Sequence, residues 1–258
     1  MLLALKPMDD WTEEEVYERL GTPETFDVRP AKNTDPGASA PPYVVQGAKM
    51  ADAKYLTGDA LLVDFGQAFP FAQPPEPDAI GIPYSYCAPE TMFDSKMCPA
   101  SDVWSLACLL YEIRAGDAMF FAMFGGKVEI IEQMLGLKGK LPDHWWEKWE
   151  PKSVRVDEDG KFWKDYPNGP SANLNTSIEK RISSIGEEDD ETAMFGSEVA
   201  ILEPLHTKVP EEEAVVMKDF LERALKWEPE ERMSVAEMLQ HPWIAGDFSR
   251  TGANNADN

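Results

Sequence analysis

Residues 101–114, SDVWSLACLLYEIR, restrict the fold more than any other stretch of the chain. Val103, Trp104, Leu106, Ala107, Cys108, Leu109, Leu110, Tyr111 and Ile113 point in every direction on a helical wheel. A surface helix carries a single apolar stripe, whereas a helix apolar all round has to be wrapped by protein or by lipid. A bilayer span takes about 20 apolar residues, and this run is shorter and starts beside an acid. The expectation is a buried helix with other helices packed around it. Pro99 precedes it, Ser101 or Asp102 can cap its start, and Gly116 can end it. Asp102 is out of place as a carboxylate at the mouth of a buried helix. It either caps the helix dipole or holds a neighbouring loop.

The rest of the composition supports a folded, acidic protein. A chain of 258 residues makes one large domain or two small ones, and its 43% hydrophobic and 10% aromatic content is enough for a sizeable core. Asp and Glu number 47 against 24 Lys and Arg, a net charge of −23. That excludes direct nucleic-acid binding through a basic face. It is compatible with basic protein partners, and also with plain solubility. Cys87, Cys98 and Cys108 are odd in number and lack metal-ligand spacing. They read as reduced thiols of an intracellular protein, in cytoplasm, nucleus or both. The start, MLLALKPMDD, has an apolar run too short for a signal sequence and no basic segment before it. No membrane span and no internal repeat is visible, and the oligomeric state is not legible.

Along the chain, residues 2–5 read as a short buried strand. Thr12 and Glu15 form a capping box for a helix that Leu20-Gly21 ends, with Trp11 placed to staple onto Val16. Residues 22–42 hold five prolines and read as loop, followed by a short strand at residues 43–45 and a better one at residues 61–63. Residues 67–83 are extended and stiffened by proline. A helix is expected near residues 127–135, stopped by Gly136. Residues 137–197 resemble an insertion, anchored by Trp145, Trp146, Trp149 and Trp163 and including a solvated acidic run at residues 187–191. Residues 214–227 have helical periodicity, and Ser234 with Glu237 caps a last helix, Met233 stapling to Met238. From residue 247 the polar tail reads as disordered.

Val63-Asp64-Phe65-Gly66 alone says only that a buried strand ends in an acid and a turn glycine. Ala88-Pro89-Glu90 begins 24 residues after that acid (88 − 64), and Asp102 follows Glu90 by 12 (102 − 90). Residues 225–234, LKWEPEERMS, then lead into His241-Pro242-Trp243-Ile244. These four motifs, in this order and at these spacings, resemble the C-terminal lobe of a eukaryotic protein kinase. DFGQAF, PYSYCAPE, DVWSLACLLYEI, the LLAL opening and the acidic helix with LGTP are similar to the SR-protein kinases, in particular their fungal relatives. The resemblance covers roughly residues 1–246 and implies a mainly α fold with a few short strands.

The resemblance implies that Asp64 chelates the Mg²⁺ that bridges the phosphates of ATP, with Phe65 packing beneath the nucleotide lobe and Gly66 permitting the turn. It implies that Glu90 of Ala88-Pro89-Glu90 pairs with Arg232, 142 residues away (232 − 90). A buried carboxylate without a partner is costly, so each needs the other. It implies that Asp102 hydrogen-bonds the catalytic loop and that Trp104 is structural. Pro83, Tyr84, Ser85, Tyr86 and Cys87 become a platform for the substrate residue after the phosphorylated one. The resemblance implies a protein serine or threonine as substrate, in an Arg/Ser-rich context. Residues 67–83 contain no Ser, Thr or Tyr, so this segment is expected to be ordered without phosphorylation.

Several kinase parts have no counterpart in the 258 residues. There is no glycine-rich loop with its strand lysine, no helix glutamate for that lysine, and no His-Arg-Asp loop with a metal-binding asparagine. The expectation is therefore a lobe without its nucleotide lobe or catalytic loop. It has no catalytic aspartate, is inactive alone, and leaves an apolar face exposed. It is either part of a whole kinase or a remnant acting as an interaction module or decoy.

Overall fold

The computed structural model describes residues 2–29, 37, 39–47, 53–75, 81–122, 126–150, 156–161, 176–186 and 208–248. Trp163, the acidic run at 187–191 and most of the tail lie outside these residues. The chain divides into two compact units: Met1–Phe65 with Ala193–Leu205, and Gly66–Thr192 with His206–Asn258.

The first unit contains two antiparallel ribbons and one helix. Strand β1 (Leu2–Leu5) and the later strand β4 (Leu56–Leu61) pair with Leu2 opposite Leu61, Leu3 opposite Ala60 and Leu5 opposite Leu56. Strands β2 (Thr25–Asp27) and β3 (Tyr43–Val45) form the second ribbon, with Phe26 opposite Val44. Helix α1 (Glu13–Leu20) starts at the expected capping box, Thr12 N–H donating to Glu15 Oε2 at 2.9 Å. It ends at Gly21, whose φ of 89° suits glycine. The Trp11 ring meets Tyr55 edge-on at 5.2 Å and the Arg19 guanidinium at 4.4 Å.

Three expectations need correction here. Strand β1 forms but is not buried: Leu2, Leu3 and Leu5 are 59%, 48% and 44% exposed. A two-stranded ribbon has two faces, and no described residue of this unit is buried. Strand β4 ends at Leu61, leaving Leu62 and Val63 outside it. The proline-rich segment expected as loop contains β2, which the distant partner β3 stabilises.

The second unit is helical and holds the core. Its helices are α2 (Pro89–Asp94), α3 (Pro99–Ala115), α4 (Lys127–Lys138), α5 (Asp143–Trp146), α6 (Ile178–Ser183), α7 (Glu211–Ala224), α8 (Val235–Gln240) and α9 (Pro242–Ala245). Helix α3 contains the apolar run at residues 101–114. Cys98, rather than Ser101 or Asp102, is its N-cap, and Gly116 closes it at φ 77°. Val103, Trp104, Ala107, Cys108 and Tyr111 are buried, while Leu106 and Ile113 are 37% and 54% exposed. The all-round wrapping expected for α3 is therefore found on one side only. Trp104 stacks on Phe120 at 5.9 Å and on Trp227 at 6.3 Å. Helix α7 packs on α3 and contributes Met217, Phe220 and Leu221, all fully buried. Each such side chain is worth about 1.5–3 kcal/mol of transfer free energy.

Helix α4 runs through Gly136 and stops at Gly139, whose φ is 81°. Buried Met134, Leu135 and Leu137 on both sides of Gly136 hold the helix together there. Trp145 and Trp149 are buried anchors, as expected of an otherwise polar region. Ser234 and Glu237 form the expected box at α8, with Ser234 N–H donating to Glu237 Oε2 at 2.7 Å. All three cysteines are free thiols. Among the described residues no helix is long and apolar enough to cross a membrane.

Candidate functional site

Asp64 is placed by its backbone. Its φ is 67°, in the left-handed region that non-glycine residues seldom adopt and that Asp tolerates better than most. A 3₁₀ turn, Phe65–Gln67, follows immediately. Asp64 and Phe65 close the first unit and Gly66 opens the second. Phe65 is 64% exposed. In the second unit Gln67 Oε1 accepts the Gly81 N–H at 2.9 Å, tying together the two ends of the proline-stiffened segment.

The segment Pro83, Tyr84, Ser85, Tyr86, Cys87 forms a 3₁₀ turn closed by Tyr86 N–H to Pro83 O and Cys87 N–H to Tyr84 O. Helix α3 grips it twice, seven residues apart (112 − 105). Ser105 Oγ donates to the Tyr86 carbonyl at 2.7 Å, and the Tyr86 hydroxyl donates to Glu112 Oε2 at 2.5 Å. The bond to Glu112, aided by burial, pushes the Tyr86 hydroxyl up to about 12. Burial, with Glu90 nearby, pushes the Cys87 thiol up to about 11, so it stays protonated and unreactive. Neither Ser105 nor Glu112 was singled out from the sequence. The available signal was a polar residue repeated on one face of an otherwise apolar run.

Behind this turn the structure brings Glu90 and Arg232 together. Arg232 Nη1 donates to Glu90 Oε1 at 2.8 Å and Nη2 to Oε2 at 2.7 Å, and the two side chains are 0% and 4% exposed. Arg232 Nε donates to Lys226 O at 2.9 Å, Nη1 to Ala100 O at 2.9 Å and Nη2 to Trp227 O at 3.0 Å. All five guanidinium donors are thus used. Ser101 Oγ adds a further donor to Glu90 Oε1 at 2.7 Å. The Arg232 guanidinium also lies 5.1 Å from the centre of the Trp104 ring. A charge pair this dry is sustained only by such complete hydrogen bonding. Ala88 and Pro89 set up the geometry: Ala88 is 1% exposed and Pro89 opens α2, so that Glu90 falls in its first turn.

A sequence profile of the protein kinase domain matches residues 54–244. The chain belongs to the protein kinase family. Among its relatives, a serine/threonine-protein kinase SRPK from Physarum polycephalum is 26% identical over 164 residues, 62% of this chain and 33% of the relative. The human dual specificity tyrosine-phosphorylation-regulated kinase 3 is 25% identical over 166 residues, 64% of this chain and 26% of its own length. The serine/threonine-protein kinase SKY1 of Saccharomyces cerevisiae is 24% identical over 163 residues, 62% of this chain and 18% of the relative. The matched part of this kinase chain thus spans a third or less of these relatives.

Beside the 83–87 turn of this kinase domain lies a cleft of about 350 Å³, lined by Phe69, Phe71, Ile82, Met97 and Asp102 among others. Asp102 occupies the first turn of α3 and is open to solvent, with Cys98 as the cap in its place. Partial desolvation of the carboxyl itself raises it from its ordinary value. Among the described residues no group of three or more His, Cys, Asp or Glu side chains gathers into a metal-binding cluster.

Proposed function

We propose that this chain supplies the peptide platform and one metal-binding carboxylate of a serine/threonine protein kinase of the SR-protein-kinase type. The observation that carries the reading is the dry Glu90–Arg232 pair, fully hydrogen-bonded, which roots the Tyr84–Tyr86 turn in the helical core. That turn, gripped at both Ser105 and Glu112, is a rigid shelf on which a substrate chain can lie. The net charge of −23 favours a substrate rich in Arg and Ser.

Asp64 fits the metal role chemically. Its carboxylate offers the oxygen donor that a hard divalent cation takes, and a left-handed backbone aims it. When bound, Mg²⁺ and ATP supply the phosphoryl group and neutralise its charge. Asp64 would hold the cation, Phe65 and Gly66 shape the turn that follows it, and Pro83, Tyr84, Ser85, Tyr86 and Cys87 form the platform for the substrate residue after the phosphorylated one. Asp102 and Trp104 brace the catalytic loop and the Glu90–Arg232 pair.

The 258 residues contain no catalytic-loop aspartate and no glycine-rich loop with its lysine, so turnover by this chain alone is not expected. That same observation favours the second reading, a kinase remnant that binds proteins without catalysing. A paired assay separates the two: Mg-ATP binding and phosphorylation of an Arg/Ser peptide, by this chain and by one extended upstream in frame. Turnover in the extended chain, abolished by Asp64→Asn with the fold intact, supports the kinase reading. An extended chain still lacking a catalytic aspartate and bound stably to a protein supports the remnant. Undiminished turnover in Asp64→Asn would refute the metal role.

A further inference from the structure

Among the described lysines of the second unit, four have an oxygen partner for the side-chain amine, and these include Lys127 and Lys218, which with Lys138 are the three that are half-buried. Lys218 pairs with Glu222 at 2.8 Å, Lys140 with Asp143 at 3.4 Å, Lys148 with Asp94, and Lys127 donates to the Met92 carbonyl. Lys138, the last residue of α4, differs from these. Its amine lies 5.7 Å from the centre of the Trp227 ring, and among the described residues it has no carboxylate or carbonyl in hydrogen-bond range. The side chain is half-buried. Trp227 in turn stacks on Trp104 at 6.3 Å and 21°, and Trp104 lies beneath the Arg232 guanidinium at 5.1 Å. Two cations therefore rest on two stacked indoles, one with five hydrogen bonds and the other with none.

We propose that Lys138 is a covalent modification site, the described lysine of the second unit most open to spontaneous acylation by acyl phosphates or thioesters. An indole face attracts an ammonium but accepts no strong hydrogen bond from it, so the charged form loses water without a full replacement. The groups facing the amine are Lys226 and Arg232, which oppose its charge, and Glu222 and Glu231, which favour it. Burial is the largest influence, followed by the Lys226 charge, and together with the others they bring the Lys138 amine down to about 8. At about pH 7.5 roughly a quarter of the side chain is then neutral, against about 0.1% for an ordinary lysine.

The neutral amine attacks the acyl carbon, forming an N–C bond. The bond from that carbon to phosphate oxygen, or to thioester sulfur, breaks. Phosphate or thiolate leaves with the electron pair, and the amine proton passes to water. The product is a neutral amide in place of a cation beside Trp227, whose carbonyl oxygen accepts from Arg232. The modification thus lands next to the anchor of the platform.

The test treats the full chain with acetyl phosphate from about pH 6.5 to about pH 10.5 and follows each lysine by peptide mass spectrometry. Lys138 is expected to acetylate at least tenfold faster than Lys218 at about pH 7.5. Its rate should reach half its plateau near pH 8, matching the lowered amine of Lys138. Lys226→Gln, which leaves the main-chain oxygen bonded to Arg232 in place, should move that half-point upward. Equal rates at Lys138 and Lys218, a half-point above about 9.5, or a half-point unmoved in Lys226→Gln would overturn the proposal.

Discussion

At the scale of single residues, Arg232 has the most specific environment in the chain. Its five donors meet Glu90 and three main-chain carbonyls, and its side chain is 0% exposed. Arg232→Ala leaves the Glu90 carboxylate dry, with Ser101 Oγ at 2.7 Å and the weak Cys98 thiol at 4.0 Å as its remaining side-chain donors among the described residues. The expected loss is about 3–5 kcal/mol, measured by urea unfolding of the second unit's tryptophan signal. A loss under about 0.5 kcal/mol would mean that water reaches the pair. The pairing of Glu90 with Arg232 was legible through a resemblance in motif order, because nothing local links residues 142 positions apart. The supporting donors were not. Ser101 looked like a helix cap because Ser is a common N-cap, but Cys98 holds that position and frees the Ser101 hydroxyl for Glu90. Asp102 is not the N-cap either, but it lies in the first turn of α3, where a carboxylate still meets the helix dipole.

Among elements, those fixed by local chemistry were legible, and those that depend on distant burial were not. The boxes at Thr12 and Ser234 are read from four consecutive residues and are present in the structure. The stop of α4 was misplaced by three residues (139 − 136), because the burial of Met134, Leu135 and Leu137 outweighs the helix cost of Gly136. The true stop, Gly139, has a φ of 81° and open space where a Cβ would lie. Gly139→Ala should therefore cost about 1–3 kcal/mol from backbone strain alone, since φ 81° with ψ −164° is a conformation essentially reserved for glycine. A thermal-melt shift indistinguishable from zero would show that the turn relaxes. The pairing of α3 with α7 carries its own pH signature. Arg114 Nε and Nη2 donate to Glu213 at 2.7 and 2.9 Å, and Trp243 Nε1 donates to the same carboxylate at 3.3 Å. Hydrogen bonding from Arg114, ahead of the opposing effect of burial, holds Glu213 below the usual glutamate range. A depressed folded-state carboxyl contributes stability above its unfolded value, about 4.3, and loses it as pH falls through the folded value. Glu213→Gln should lower stability at neutral pH and flatten its decline below about pH 4.5. An unchanged acid limb in denaturation from about pH 7 to about pH 2 would assign the decline to other carboxylates.

For the molecule as a whole, apolar surface and charge are divided unequally between the two units. Among the described residues all the buried side chains belong to the second unit, while the first keeps Leu2, Leu3, Leu5 and Leu61 at 44–59% exposure on a two-stranded ribbon. Two strands alone bury too little to be stable, and an exposed ribbon also offers unpaired strand edges. The sequence suggested an exposed apolar face from the absence of a nucleotide-binding segment. It did not reveal that β1 itself would be open to solvent, since a run such as LLAL reads as buried whatever covers it. The net charge of −23 acts against association, because copies of the chain repel one another. That repulsion is screened beyond about 10 Å at 0.1 M salt and beyond about 3 Å at 1 M, whereas apolar attraction is not weakened by salt. Sedimentation velocity should therefore show a monomer at about 0.05 M NaCl and larger species at about 1 M. Leu3→Asp combined with Leu61→Asp places a charge on each face of the β1–β4 ribbon and should restore the monomer at high salt without changing the melting of the second unit. If the double variant associates as readily as the parent, the contact lies elsewhere. If neither associates, the ribbon is already covered within the chain, and the apolar face inferred from residues 2–5 and 61–63 does not exist in solution.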